Sequence, residues 1–205
     1  MMKGSPPPIE FQVTLENWRK YHYTTWSFVN VRNLITTAQI ETNISNQTNF
    51  QIDLTSFENL NIKHEDNFYK FYDVLKNCNA DAFLVMHKGK LIFEYFDNFT
   101  SKNTPHIIFS VSKSLTSLLA ATLFKNMSID VNKTVSSIIP ETKDTAYEDA
   151  TIRNVLDMNV ASGFIEDYSG EAEIFKKYRS CTGWDLPEES LQNIPVGLHD
   201  FLSKM

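Results

Sequence analysis

Apolar and polar positions follow two different periods in the first half of the chain, and each period predicts its own kind of element. From His64 to Asn77 the apolar residues recur at i, i+3, i+4 and i+7, which predicts an amphipathic helix. The runs 82–87 and 91–96 are rich in β-branched and aromatic residues and are typical of strands. Residues 88–90 between them contain the glycine that a tight hairpin needs. The pattern therefore predicts a helix followed by a β-hairpin.

The longest apolar segment follows, and it contains the most informative motif of the chain. Ile107, Ile108 and Phe109 lead into Ser110, and Lys113 comes three residues later. The segment predicts a helix over 110–126, apolar enough to be central and buried. The inward-facing candidates are Leu115, Leu118, Leu119, Thr122 and Phe124.

Ser110 and Lys113 have the spacing of a nucleophile and its base. Positions i and i+3 share one face of a helix, so Lys113 can take the hydroxyl proton of Ser110 if burial keeps its amine uncharged. The helix N-terminus also favours the negative charge that develops on an attacked carbonyl. A bare S-x-x-K is expected about once by chance in a chain of this length, so its context decides whether it is catalytic.

The rest of the chain predicts an irregular beginning and an abrupt end. The pattern over residues 1–50 predicts an arm anchored by aromatic side chains. A helix is predicted over 151–158, with Thr151 as its cap. After Gly163 the chain is polar and predicts irregular structure. Apolar residues at helical spacing in 196–205 run to the last residue without a cap, which suggests a fragment of something longer.

Composition narrows the range of partners and cofactors. The net charge of −6 and the lack of a Lys/Arg run argue against nucleic acid, and no apolar run is long enough to span a membrane. The N-terminus has no apolar signal region, so a cytoplasmic location is expected. Cys78 and Cys181 fit two reduced thiols, although one disulfide stays open. The five histidines have no ligand spacing, so neither a metal nor another cofactor is expected.

The order of these elements resembles the serine β-lactamase and penicillin-binding-protein superfamily. The closer likeness is to its esterase and amidase branch, which includes the aminohexanoate-dimer (nylon-oligomer) hydrolases. The stretches that carry the resemblance are spread over the whole chain and are jointly more specific than S-x-x-K. They are Pro6-Pro7-Pro8 with residues 12–18, Trp26-Ser27-Phe28, residues 109–114, residues 151–158, and Glu166-Asp167-Tyr168.

The resemblance implies an α+β fold, a β-lactamase-like α/β sandwich in which helices flank an antiparallel sheet. Residues 51–205 would be the N-terminal portion of the hydrolase domain, truncated at its C-terminus. Ser110 would be the acyl-enzyme nucleophile and Lys113 its base. Tyr168 matches a family tyrosine on a mobile loop near the substrate, although a packed or exposed loop tyrosine is an equally good reading. The substrate would be a small ester or amide.

Two elements of the family pattern are missing. The family needs a tyrosine in a Y-x-N/S motif, and the local match is Tyr178-Arg179-Ser180. That stretch resembles a loop before the catalytic tyrosine, which normally lies roughly a hundred residues past the serine. Tyr178 is therefore a weak catalytic candidate. The K-T-G or H-x-G strand is also missing, because Cys181-Thr182-Gly183 follows no strand pattern.

Two hypotheses follow for the function of this chain. In the first, the chain is part of a serine hydrolase that acts on an ester or linear amide through acyl-Ser110. In the second, it is a truncated or degenerate relative that binds a small ligand or partner without catalysis. True β-lactam hydrolysis is a weaker third reading, because an arm at 1–50 and the lack of an export signal do not suit it. The substrate and the oligomeric state stay open.

Overall fold

The computed structural model describes residues 1–41, 49–97 and 99–204. The chain divides into two compact units, Met1–Ile107 and Ile108–Met205, which are described separately below. The arm predicted for residues 1–50 remains a prediction, because this division does not test its boundary.

The first unit contains the predicted hairpin. Strands β4 (Ala82–His87) and β5 (Lys90–Phe96) pair antiparallel, and β1 (Gln51–Ile52) adds to β5 in parallel, which gives the order β1-β5-β4. Lys88 and Gly89 form the turn with φ of 48° and 77°. A two-residue turn with positive φ at both central residues has a backbone twist that matches the twist of the two flanking strands. The hairpin prediction is confirmed, and Lys90 belongs to the strand rather than to the turn.

The helix predicted from His64 begins later than the pattern indicates. Strands β2 (Asn61–His64) and β3 (Asn67–Lys70) form an antiparallel hairpin, and α2 covers only Phe71–Asn77. Glu65 has a φ of 52° and helps to reverse the chain between the two strands. Phe68, which contributed to the helical pattern, is exposed on β3. The prediction is wrong for 64–70 because a local turn overrides the apolar spacing.

Aromatic side chains form the core of the first unit. Phe71 and Leu75 of α2 pack with Phe93 of β5, and all three are buried. The rings of Phe71 and Phe93 meet edge to face with centroids 5.3 Å apart, which is an arrangement that aromatic pairs prefer. In the N-terminal segment Trp18 is fully buried, and its carbonyl accepts a hydrogen bond from the Ser27 hydroxyl. Trp18 is thus a packing residue of this segment.

Short helices follow Trp18 in the first unit. Helix α1 covers Thr24–Ser27, and a 3-10 turn covers Val31–Asn33. Another 3-10 turn, Ile9–Phe11, precedes Trp18.

The second unit begins with α3 (Val111–Met127), the longest helix of the described residues. Helix α4 (Ile152–Leu156) follows two 3-10 turns, Val135–Ser137 and Pro140–Thr142. Thr151 caps α4 as predicted, because its hydroxyl accepts the Asn154 N–H while the Asn154 side chain accepts the Thr151 N–H.

The irregular structure predicted after Gly163 is wrong for its central part. Helix α5 covers Glu173–Cys181, and α6 (Gly197–Leu202) confirms the helical spacing near the end of the chain. Phe175 of α5 and Phe201 of α6 are buried, and each makes an edge-to-face contact with Phe164. These rings form the core of this part of the unit.

The two cysteines, Cys78 at the end of α2 and Cys181 at the end of α5, are both free thiols. Cys78 is exposed and Cys181 is half-buried. This agrees with the reduced state that the sequence favours. Among the described helices, none combines the length and the hydropathy that crossing a membrane requires.

Candidate active site

Ser110 and Lys113 meet at the start of α3, as their spacing predicts. Lys113 Nζ lies 2.9 Å from Ser110 Oγ and donates a hydrogen bond to it. Ser110 is the N-cap residue and already has helical backbone angles, so one turn of helix brings the two side chains together. The arrangement is that of a hydroxyl nucleophile touching an amine, which is the contact that proton transfer between them needs.

The backbone just before Ser110 is strained. Phe109 has a φ of 41°, a left-handed conformation that is uncommon for a bulky residue without special support. Its ring meets that of Trp184 edge to face, with centroids 5.8 Å apart. A turn of this kind, supported by an aromatic contact, sets the direction in which the chain enters α3. The sequence carries no signal for it, because nothing in the residue types predicts positive φ for phenylalanine.

The first amides of α3 are already occupied. The N–H groups of Val111, Ser112 and Lys113 donate to the carbonyls of Ile108, Phe109 and Ser110 at 2.9 to 3.1 Å. They therefore cannot bind an oxyanion without breaking these bonds, contrary to the simple expectation of free donors at a helix N-terminus. Within the described residues, the Ser110 N–H donates no hydrogen bond and is the available donor at this point of the chain.

The prediction that α3 is a buried central helix is wrong for the chain described here. None of its residues is buried, and Leu115, Leu118, Leu119 and Thr122 are exposed, while Phe124 is half-buried. Ser110 and Lys113 are exposed as well. The apolar character that predicts burial is real, but burial also requires a surface to pack against, and the described residues do not supply one on that side. Ser110 and Lys113 are therefore open to solvent and do not lie in the buried setting that the sequence predicts for them.

Tyr168 lies in the loop before α5 and is 78% exposed. Its hydroxyl donates to the Glu166 carboxylate, and its ring contacts Phe175 with centroids 5.4 Å apart. The hydrogen bond to Glu166 raises the pKa of the Tyr168 hydroxyl, and the nearby negative charge adds to the effect. In the described residues, Tyr168 forms no hydrogen bond to Ser110 or Lys113. Its predicted role at the substrate stays a prediction.

Asp167 organises this loop, and sequence reasoning missed it. One of its carboxylate oxygens accepts the Ser169 N–H at 2.9 Å and the Ser169 hydroxyl, and the other accepts the N–H groups of Glu171 and Ala172 at 2.8 and 2.7 Å. These bonds, with the Ser169 hydroxyl the largest cause, lower the pKa of Asp167 to about 2. The available signal was an Asp two residues before Ser-Gly and close to a helix start, a typical turn and cap pattern.

We expect Asp167→Asn to loosen the loop at neutral pH. Asparagine keeps the shape of the side chain but loses the charge and one acceptor oxygen, so the amides of Ser169, Glu171 and Ala172 should exchange several-fold faster. In the unmodified chain the folded pKa lies below the unfolded value of about 3.9, so the stabilisation is complete above about pH 4 and is lost as the pH falls towards 2. Amide hydrogen exchange measured by NMR checks both effects.

The control for this prediction is Asp157→Asn. Asp157 pairs with Arg153 along the exposed side of α4 at 2.7 Å and has no bond to the loop. The Asp157→Asn variant should leave the exchange of the Ser169, Glu171 and Ala172 amides unchanged. Equal exchange in the Asp167 variant and the unmodified chain would show that the carboxylate does not hold the loop.

Tyr178 is a packing residue of α5 in this structure. Its ring lies near those of Phe164, Phe175 and Phe201, with centroids 5.4 to 6.0 Å away. Burial raises the pKa of its hydroxyl. Among the described residues, it makes no hydrogen bond to Ser110 or Lys113. This arrangement supports the reading of Tyr178 as a structural residue and weakens it as the catalytic tyrosine.

Among the described residues, no group of three or more His, Cys, Asp or Glu side chains is placed to hold a metal ion. The expectation that the chemistry uses side chains and water, without a cofactor, therefore stays a prediction from the sequence.

Comparison with known proteins supports the predicted fold. The chain is 24% identical over 197 residues to the 6-aminohexanoate-dimer hydrolase of Paenarthrobacter ureafaciens. The alignment covers 94% of this chain and 47% of the relative. A solved structure from Bacillus anthracis, provisionally assigned as a 6-aminohexanoate-dimer hydrolase, superposes with a TM-score of 0.84 at 21% identity, covering 95% of this chain and 51% of that one. The chain thus spans about half the length of the relatives it matches.

These likenesses confirm the predicted resemblance and the α+β, β-lactamase-like fold. The Beta-lactamase family matches residues 73–185, a stretch that begins in α2 and includes Ser110, Lys113, Tyr168 and Tyr178. Since this match covers more than half of the chain, the protein belongs to the beta-lactamase family.

Proposed function

We propose that this chain carries the nucleophile and the base of a serine hydrolase that acts on an ester or linear amide. The observation that carries the proposal is the 2.9 Å contact between Lys113 Nζ and Ser110 Oγ. The names of the relatives support it, since both are described as hydrolases of an aminohexanoate dimer, and a dimer of an amino acid is joined by an amide bond.

The proposed first step is acylation of Ser110. Lys113, with its amine uncharged, accepts the hydroxyl proton while Oγ forms a bond to the carbonyl carbon of the substrate. The tetrahedral intermediate then collapses, the proton passes to the leaving alcohol or amine, and the acyl group stays on Oγ. In the second step a water molecule gives its proton to Lys113 and attacks the acyl carbon. The second tetrahedral intermediate collapses, Lys113 gives the proton to Ser110 Oγ as the acyl–oxygen bond breaks, and the substrate acid departs.

The oxyanion of the tetrahedral intermediate needs hydrogen-bond donors. The Ser110 N–H is one candidate, because it is not engaged by other described residues. Oxyanion holes commonly combine such an amide with a second backbone or side-chain donor. Removing one such donor typically costs about a hundred- to a thousand-fold in turnover, so we expect a chain with a single donor to turn over slowly.

The alternative function is binding without catalysis, and one observation favours it. Ser110 and Lys113 are both exposed, so the described residues form no dry pocket around them. Without such a pocket, the contact between Lys113 and Ser110 lacks the water-excluded setting in which catalytic groups act most strongly. In this reading the chain holds a small ligand or partner, and Ser110 contributes a hydrogen bond only.

A covalent probe distinguishes the two functions. The purified 205-residue chain is incubated with a fluorophosphonate, and intact mass and peptide mapping show whether one probe is attached and at which residue. A single adduct on Ser110 supports the hydrolase. A folded chain that gains no adduct supports binding without catalysis. Acyl adducts formed from p-nitrophenyl esters and from p-nitroanilides then show whether ester or amide bonds are cleaved.

A further inference from the structure

The Arg179 side chain contacts three segments of the second unit. Its Nε atom lies 3.0 Å from a carboxylate oxygen of Asp185, and only 17% of the Arg179 side chain and 23% of the Asp185 side chain are exposed. The guanidinium lies over the ring of Phe175, 4.9 Å from the ring centroid. Its Nη2 atom is 3.7 Å from the position that a Cβ would take at Gly170. Arg179 therefore joins α5 to the turn that follows it and to the loop that precedes it.

The turn after α5 also closes onto the backbone of Arg179. The N–H groups of Trp184 and Asp185 both donate to the Arg179 carbonyl, at 2.9 and 3.3 Å. Gly183 has a φ of 73°, which lets the chain reverse within this short span. The carbonyl and the guanidinium of one residue therefore determine where the half-buried Trp184 lies.

Trp184 carries this restraint to the residue before Ser110. Its ring meets the ring of Phe109 edge to face, with centroids 5.8 Å apart. Phe109 has a φ of 41°, and a bulky residue keeps such a conformation only where its surroundings hold it. The amides of residues 111–113 donate back to the carbonyls of residues 108–110, so these bonds depend on the same turn. A displaced Trp184 would therefore change the course of the chain at Ser110.

We infer that Arg179 is a positioning residue for Ser110 and acts through Trp184 and Phe109. The charge of Arg179 pairs with Asp185, and its planar group stacks on an aromatic ring, so both properties of the side chain fix the turn. The inference rests on the proposed function, since it names a residue that sets the geometry of the proposed nucleophile.

The first measurement is amide hydrogen exchange of the 205-residue chain, followed by NMR. In Arg179→Met the amides of residues 111–113 should exchange at least about fivefold faster, because the turn that holds their acceptors opens more often. The Val155 amide of α4 donates to the Thr151 carbonyl and should not change, which separates a local effect from a general loss of stability. If Arg179→Met does not fold, Asp185→Asn removes the other charge of the pair with little change of shape and serves instead.

Matched variants at Trp184 test the route. Trp184→Ala removes the ring that contacts Phe109 and should accelerate the same amides at least about fivefold. Trp184→Phe keeps an aromatic ring at this place and should leave them within about twofold of the unmodified chain. Arg153→Met removes another arginine, whose ion pair with Asp157 lies on the exposed side of α4, and should change them by less than about twofold.

The second measurement is the rate of fluorophosphonate labelling of Ser110 in the same variants. The second-order rate constant should fall at least about tenfold in Arg179→Met and in Trp184→Ala, because a nucleophile displaced by a fraction of an ångström reacts more slowly. It should stay within about twofold in Trp184→Phe and in Arg153→Met. Recovery of the rate by phenylalanine is a result that a general role in stability would not produce.

Three outcomes of the exchange experiment would overturn the inference. They are unchanged amides of residues 111–113 in Trp184→Ala, equal acceleration in Trp184→Ala and Trp184→Phe, and an acceleration that Val155 shares. Labelling that Arg179→Met does not slow would also reject the positioning role, while the hydrolase stands. If the amides respond as expected but the unmodified chain gains no adduct, the hydrolase is rejected and Arg179 still sets the backbone at Ser110.

Discussion

Ser110→Ala is expected to remove all covalent labelling of the chain by a fluorophosphonate. The probe reacts with an activated hydroxyl, and the variant removes Oγ together with its 2.9 Å contact to Lys113 Nζ. The fold should not change, because Ser110 is exposed and its side chain makes no capping hydrogen bond to α3. Intact mass spectrometry under conditions in which the unmodified chain gains one adduct measures the loss.

The control is Ser112→Ala, which removes another exposed hydroxyl from the same helical turn. The Ser112 hydroxyl donates to the Phe109 carbonyl at 2.6 Å and has no contact with Lys113, so this variant should be labelled like the unmodified chain. An adduct that persists in Ser110→Ala would place the reactive group elsewhere. The proposed nucleophile would then be wrong.

Lys113→Met is expected to slow acylation of Ser110 by about a hundred- to ten-thousand-fold, the range that a positioned general base contributes. Methionine has a similar length and keeps the apolar stem, but it has no amine to accept the hydroxyl proton. The measurement is the second-order rate constant of labelling, determined for both proteins at the same pH.

Lys125→Met is the matched control for charge. Lys125 lies in the last turn of α3, and its removal changes the net charge of the chain by the same amount. It should leave the labelling rate within about twofold. Equal slowing in both variants would mean that Lys113 acts through the general field of the helix and not as the base of Ser110.

Local signals predicted the elements that local interactions determine. The β4–β5 hairpin follows from a glycine between two strand patterns, and the start of α4 follows from Thr151 and Asn154, which bond to each other. The prediction failed where a short turn redirected an apolar pattern, at Glu65, and where a helix lay in a stretch that is polar on average, in α5. The prediction that α3 is buried failed for another reason. Burial depends on a neighbouring surface, and the pattern of one helix carries no information about that surface.

The candidate site divides in the same way. Helical spacing alone brings Lys113 to Ser110, so the sequence predicted that contact correctly. The left-handed backbone of Phe109 accompanies an aromatic contact with the distant Trp184, which no local pattern indicates. The bonds that converge on Asp167 are local, but they lie in a polar loop without a regular period. The placement of Tyr178 in an aromatic core required knowing that α5 exists. Motif spacing therefore predicted the contact between Ser110 and Lys113 but not the residues that support its surroundings.

The two free thiols also make the chain easy to address chemically. The thiolate is the form that attacks thiol reagents, and burial raises the pKa of Cys181, which keeps that side chain protonated and slow to react. Cys78 is exposed and will accept a maleimide first. A dye or a surface linker can thus be attached to the first unit through Cys78 without an engineered attachment site. If the proposed labelling of Ser110 is found, a fluorophosphonate adds a second, independent label to the second unit of the same unmodified chain.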